Sequence, residues 1–261
     1  MPIEPKRTGG GGSGGDTNLT NDEVSAAMWN PVSTDWKRCF THFEDSANYS
    51  PGYGAGGLPL VQSGTVARNP VGAGSTTDGL SFGTVGVTTA TTGADGFYTG
   101  RYARSITGNV YRIGLRFKHD IATNASDQYK SGVGFDTAFL NNGTEGVFLG
   151  VDYSQNTTNY VAMSSDGGTD TVTDTGVAFD TNWHNIEVLL DAGAGTPTAT
   201  YYIDGALVAT HTTNIPNAGA LYYQLFTLAI GTMSQSIITY MDWAYLHWKP
   251  NAALGVVHTW T

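Results

Sequence analysis

The residues able to do chemistry are few and scattered. Asp166-Gly-Gly-Thr-Asp170-Thr-Val-Thr-Asp174 spaces three carboxylates four residues apart, and a loop with several hard oxygen ligands could hold calcium. It lacks the tight Asp-x-Asp-x-Asp-Gly spacing, so the stretch reads as a polar turn after a strand at Tyr160–Ser164. The six histidines, His42, His119, His184, His211, His247 and His258, show no close pairing, whereas zinc sites bring two ligands within a few residues of each other. His184 and His211 read as packed or hydrogen-bonded strand residues. Cys39, the only cysteine, excludes an internal disulfide and, with no activating partner in view, reads as a buried thiol. Glu44 and Asp45 are adjacent, which sends them to opposite faces of a strand, while Glu145 and Glu187 stand alone. No Gly-x-Ser-x-Gly elbow, phosphate loop or dinucleotide fingerprint sits at a strand-to-helix turn, because the glycines fall in turns that precede no helix. The expectation is therefore no enzyme, and no catalytic, cofactor-binding or metal-ligating residue. Tyr49, Tyr53, Tyr222, Tyr223 and Trp243 have faces that can stack on sugar rings, and at strand spacing they equally suit a core.

The elements that must position these residues are strands. In Val110–Lys118, Tyr111, Ile113, Leu115 and Phe117 alternate with Arg112, Gly114, Arg116 and Lys118, the two-residue period of a strand with one buried and one wet face. The same alternation marks Gly132–Phe139, Val147–Tyr153 and Trp183–Asp191. Two β-rich runs between Thr198 and His211 flank Asp204-Gly205, the dipeptide that suits a type I′ hairpin turn. Leu221–Ile230 and Ile237–Trp248 add long strands, and Trp36–Phe43, Leu58–Gln62, Gly79–Phe82 and Phe97–Ala103 add short ones. One brief helical turn fits Asn21–Trp29, with acids in its first turn. About a dozen strands and almost no helix predict a two-sheet antiparallel sandwich, because each sheet needs another to cover its apolar face.

Composition narrows the partners. The 261 residues hold 22 acids against 12 bases, a net charge of −10, so nucleic-acid phosphate is not an expected partner. Only 13% of residues are charged, against about 25% in an average domain. Neither a run of about 18 apolar residues nor an apolar segment behind the first basic residues is visible, so no membrane partner and no secretory route are expected. Gly9-Gly-Gly-Gly-Ser-Gly-Gly15 carries no side chains with which to bury a core. The expected organisation is a flexible arm over 1–20, one β domain over 21–250 and a C-terminal extension over 251–261. Gly9–Gly15 reads either as a native assembly arm or as a linker behind a short tag.

Trp183-His-Asn-Ile-Glu-Val-Leu-Leu-Asp191, then Tyr201-Tyr-Ile-Asp-Gly-Ala-Leu-Val208, then Ile238-Thr-Tyr-Met-Asp-Trp-Ala-Tyr245 together resemble the concanavalin A-like lectin/glucanase superfamily. The resemblance covers about residues 180 to 248 by motif and 36 to 180 by strand density. It implies a jelly-roll sandwich, a fold that hosts lectins, glycosidases and virion proteins alike. Glucanases of that superfamily carry paired carboxylates two or more residues apart on one strand, since acid and nucleophile must flank the bond at about 5–5.5 Å. That motif is missing here.

With the arm and the polar, weakly ionic surface, the resemblance implies a structural component of a bacteriophage virion, a capsid decoration, cement or fibre protein. It would be assembled in the host cytoplasm and exposed on the particle, held to the major capsid or another virion protein through the arm. A homo-oligomer, a trimer, is expected on a repeated lattice. The alternative is a lectin-like carbohydrate-binding module with a glycan partner. No cofactor is expected.

Overall fold

The computed structural model describes residues 37–42, 60–64, 83–87, 93–98, 104–105, 107–119, 127–136, 145–193, 195–216, 220–235 and 237–250. The expected arm over 1–20, the helical turn over 21–29, the strand over 79–82 and the extension over 251–261 lie outside them. Among the described residues every regular element is a strand, β1 to β15 in chain order. The strands are β1 (Lys37–His42), β2 (Leu60–Gly64), β3 (Gly83–Val87), β4 (Gly93–Tyr98), β5 (Arg104–Ser105), β6 (Asn109–His119), β7 (Tyr129–Asp136) and β8 (Gly146–Asp152). They continue with β9 (Asn159–Asp166), β10 (Thr169–Ala178), β11 (His184–Asp191), β12 (Thr198–Ile203), β13 (Ala206–His211), β14 (Ala220–Ala229) and β15 (Ile237–Pro250).

Pairing is antiparallel throughout and makes two sheets. The first runs β1-β15-β6-β11-β12-β13, with β3 also on β15. The second runs β10-β9-β8-β7-β14-β4-β2, with β5 also on β14. Neighbours distant in sequence, such as β6 beside β15 and β7 beside β14, carry the crossovers of a jelly roll. The all-β, two-sheet sandwich expected from the sequence is the observed fold.

The alternation in β6 does what its period dictates. Tyr111, Ile113, Leu115 and Phe117 are buried, Arg112 is exposed, and Arg116 and Lys118 are half-buried. Those residues meet Ile186, Val188 and Leu190 of β11, and Tyr129, Val133, Leu149 and Tyr160 of the second sheet, in one core. Each such side chain removed from water contributes about 1.5–3 kcal/mol. Asp204 (φ 49°) and Gly205 (φ 79°) form the turn between β12 and β13, both left-handed as a type I′ turn requires.

Two polar devices join the sheets. Deep in the core, the hydroxyls of Ser131 on β7, Thr227 on β14 and Thr239 on β15 form a closed triangle with sides of 3.0, 2.7 and 2.7 Å. Each hydroxyl can donate once and accept once around the ring, so three buried polar groups are satisfied without water. Along one margin His211 of β13 reaches the second sheet, with Nδ1 2.9 Å from Ser164 Oγ and Nε2 2.9 Å from Thr173 Oγ1. Ser164 Oγ donates to the Thr213 carbonyl at 3.1 Å, which makes His211 Nδ1 the donor to Ser164 and Nε2 the acceptor. Burial lowers the His211 pKa, in keeping with a neutral ring.

One element differs from expectation. The stretch 166–174 is not a polar turn: the turn is Gly167-Gly168 alone, and Thr169 to Ala178 continue as β10. Its sequence has no buried residue, alternating exposed with half-buried positions. An edge strand of threonines and aspartates offers no apolar period to read.

Candidate functional site

The site sits on the face of the second sheet turned away from the core. In β7, Tyr129, Val133 and Phe135 point to the core, so Lys130, Gly132, Gly134 and Asp136 point outward. Register then sets rows across the sheet. Val172 (β10), Met163 (β9), Phe148 (β8) and Gly134 (β7) are successive partners. Asp170, Ser165, Gly146 and Asp136 form the next row, and Asp152 pairs with Lys130 farther along. Apolar groups thus occupy the middle of the face and polar groups both margins.

Glycine makes the middle flat. Gly132 and Gly150 are directly paired, and a Cβ on Gly132 would strike the Leu149 carbonyl oxygen and come within 3.0 Å of the Phe148 ring. On Gly150 it would strike the Ser131 carbonyl oxygen and come within 2.8 Å of Phe148 Cζ. Without side chains there, Phe148 lies down on the sheet, 5.7 Å from Phe226 by ring centroid, and with Met163 the two form an apolar cluster separate from the main core.

Lys130 uses that platform. Its Nζ lies 4.3 Å from the centroid of Phe148 and 3.9 Å from Met163 Sδ, so the side chain runs along β7 above Gly132. The ammonium is 3.5 Å from Asp152 Oδ2. Oδ1 of Asp152 accepts from Ser154 N at 3.1 Å and Ser154 Oγ at 2.6 Å, which fixes the turn leaving β8. Lys130 is 3% exposed and Asp152 4%. Burial lowers the Lys130 pKa, and the carboxylates of Asp152, Asp136 and Asp170 oppose that shift. A trough of about 350 Å³ lies over these groups. Lys130, Asp136, Asp152, Ser165 and Asp170 give its polar lining, Ser154 and Gln155 its end at the β8–β9 turn, and Met163 an apolar wall.

A second, smaller cavity of about 220 Å³ lies on the outer face of the first sheet, between Arg112, Glu187, Tyr202 and Tyr245. Its polar groups engage each other: Arg112 Nη2 is 2.7 Å from Glu187 Oε1, and the Tyr245 hydroxyl donates to Glu187 Oε2. Gly114 lies beneath the Tyr245 ring, in space a Cβ would need. Farther along β6, Arg116 and Lys118 lie 5.3 and 5.0 Å from the centroid of Trp183.

The residues singled out from sequence are dispersed. Asp166 pairs with Thr169 beside the turn, Asp170 faces the trough, and Asp174 accepts from Asn156, Asn159 and the Gly176 amide. Among the described residues no group of three His, Cys, Asp or Glu could hold a metal ion. His184 bridges two acids, Nδ1 2.7 Å from Asp204 Oδ2 and Nε2 3.0 Å from Asp180 Oδ1. Burial works against its charge, but the two carboxylates outweigh it and raise its pKa. Tyr223 is buried in the core, not displayed for stacking. The side chains of Tyr222 and Trp243, and residues 44–45, 49 and 53, lie outside the described residues, as does the Cys39 side chain. Lys130, Phe148, Asp136 and Asp152 were not recognised from sequence as a site. The readable signal was Lys130-x-Gly132-x-Gly134-x-Asp136, an outward face holding charge at its ends and nothing between.

No family model and no curated protein matches the sequence. Solved structures do match the fold. A protein of unknown function from Shewanella oneidensis MR-1 superposes with a TM-score of 0.61 at 13% identity, covering 94% of this chain and 99% of its own. An endo-1,3-beta-glucanase from Streptomyces sioyaensis gives 0.55 at 12% identity, covering 84% and 98%. The carbohydrate recognition domain of Emp47p gives 0.50 at 11% identity, covering 84% and 97%. The likeness is to the concanavalin A-like lectin and glucanase fold, and it is a likeness of fold.

Proposed function

We propose that this protein is a glycan-binding β-sandwich that performs no chemistry on its ligand and is displayed on a bacteriophage particle. The trough over β7, β8 and β9 carries the first part. A pyranose has C–H faces that rest on apolar groups and hydroxyls that need fixed polar partners. Met163 and Ile230 give the first, and Asp136, Asp152, Ser165 and Asp170 the second. Two of the proteins that share the fold are named for carbohydrate work, a glucanase and a carbohydrate recognition domain.

The trough carboxylates come from different strands, without the same-strand pair of the glucanases. Asp136 lies six residues along β7 from Lys130, the partner of Asp152, so their Cα atoms stand about 20 Å apart by strand rise. Asp136 and Asp170 are separated by three strand spacings, about 14 Å. A glycan array followed by titration of the full chain tests the binding: a retained glycan recovered uncut is expected. Failure of every glycan to bind, or its cleavage, would sink the reading.

The particle part rests on Gly9–Gly15 and the basic pair Lys6-Arg7 before it, read as an arm that orders on a neighbouring virion subunit, with the domain as a homotrimer. Sedimentation with capsids compares the full chain with one starting at Asp16. Co-sedimentation of the full chain alone is expected, and equal behaviour of the two would remove the arm's role.

A further inference from the structure

From the burial and geometry of one ion pair, we infer that the Lys130 side chain condenses with the Asp152 carboxyl, releasing one water and leaving an internal isopeptide bond between β7 and β8. The two residues are directly paired across neighbouring strands, and Nζ stands 3.5 Å from Oδ2. Both are withdrawn from solvent, 3% and 4% exposed. The Phe148 ring, its centroid 4.3 Å from Nζ, and Met163 Sδ at 3.9 Å confine the amine beside the carboxyl. Groups held about 3–3.5 Å apart on a rigid frame react as though at about 10⁵–10⁸ M. The bond forms whether or not a glycan occupies the trough.

Every atom has a place to go. One proton passes from the ammonium to Oδ2, which turns two buried charges into two neutral groups and removes the desolvation penalty of the ion pair. Burial is the largest influence on Lys130 and lowers its pKa against the opposing carboxylates of Asp152, Asp136 and Asp170, which favours the amine as nucleophile. The nitrogen lone pair attacks Cγ, and the carbonyl electrons move onto Oδ1. Ser154 N and Ser154 Oγ already donate to that oxygen, at 3.1 and 2.6 Å, and stabilise the charge it gains. As the tetrahedral intermediate collapses, a second proton moves from nitrogen to Oδ2, the Cγ–Oδ2 bond breaks and water leaves. The third ammonium proton stays on the amide nitrogen. Nothing is oxidised or reduced, and no further reactant is consumed.

The test is intact-mass spectrometry of the full chain, sampled from synthesis until the mass is constant. A final mass one water below that of the sequence is expected, and a chymotryptic digest should contain Lys130–Phe135 joined to Gly150–Tyr153. Ring closure to a succinimide at Asp166-Gly167 or Asp204-Gly205 also releases one water, so Lys130→Arg serves as control. It keeps the positive charge, cannot form this amide and should keep the full sequence mass. Ser154→Ala should slow the approach to the final mass about tenfold or more and leave the end point unchanged; an equal rate would overturn the part given to the Ser154 hydroxyl. The joined peptide is read from the unaltered chain, so the idea is tested even if a variant folds poorly. Full sequence mass at the end point, a water loss that persists in Lys130→Arg, or a branch mapped to a carboxylate other than Asp152 would overturn the bond. The glycan reading stands or falls separately, on the array.

Discussion

The Lys130 ammonium lies 4.3 Å from the centroid of the Phe148 ring, and two paired glycines beneath that ring allow it. The site is thus built from the backbone upward: Gly132 and Gly150 leave room, Phe148 fills it, and Lys130 rests on the result with Asp152 as counter-charge. A lysine so buried keeps its place through carboxylate and ring together, since either alone compensates poorly for lost water.

Gly150→Ala should therefore act on fold and site together. The new methyl would meet the Ser131 carbonyl, Gly132 Cα at 2.8 Å and Phe148 Cζ at 2.8 Å. Overpacking of this kind costs about 1–3 kcal/mol. Urea unfolding should show that loss, and glycan affinity measured below the transition should drop because Lys130, which rests on the ring and lines the trough, is displaced with it.

Lys130→Met should destabilise by about 3–5 kcal/mol, because Asp152 stays buried after losing its ammonium. Adding Asp152→Asn should recover part of that loss, since asparagine keeps an oxygen for Ser154 and carries no charge. Thermal unfolding of the two single variants and the double variant checks the recovery; strict additivity would contradict it.

The hydroxyl triangle predicts coupling between the sheets. Thr239→Val removes the β15 corner at constant shape and should cost about 1–2 kcal/mol. Ser131→Ala should cost a similar amount. Together they should cost less than the sum by about 0.5 kcal/mol or more, because the first change has already broken the ring. A double-mutant cycle in denaturant measures the difference.

Acid should weaken the fold through His119. It is 1% exposed, and neither ring nitrogen has a hydrogen-bond partner. Burial, with a smaller contribution from the charge of His184, lowers its pKa from 6.5 to about 4. The unfolded chain takes up a proton first as pH falls, so stability is lost between about 6.5 and 4, by up to about 3 kcal/mol. His119→Phe should flatten that part of the stability profile. His184 has the opposite sign: its raised pKa gives stability that is present at low pH and fades as pH rises through the folded value. Chemical denaturation from pH 4 to 8 separates the two; an unchanged acid profile in His119→Phe would refute the assignment.

Sequence periodicity carried most of the strands in the second half of the chain. β6 and β11 alternate along most of their length, broken only by Gly114 and Leu189, and the Asp204-Gly205 turn has the residues its backbone demands, so local chemistry determined them. β10 was hidden because nothing on it is buried, and a strand without an apolar face has no period to show.

What sequence determined by itself was that a sandwich forms and which faces turn inward. Only the tertiary structure decided the site. Lys130 meets Asp152, and Asp136 meets the row from Asp170, through pairings between β7, β8, β9 and β10. Alternation says which face a residue is on, but register says which residues share a row, and register is fixed by the packing of the whole sheet. The sequence holds the glycines that make the trough flat; that Phe148 fills the space they leave is a consequence of the neighbouring strand.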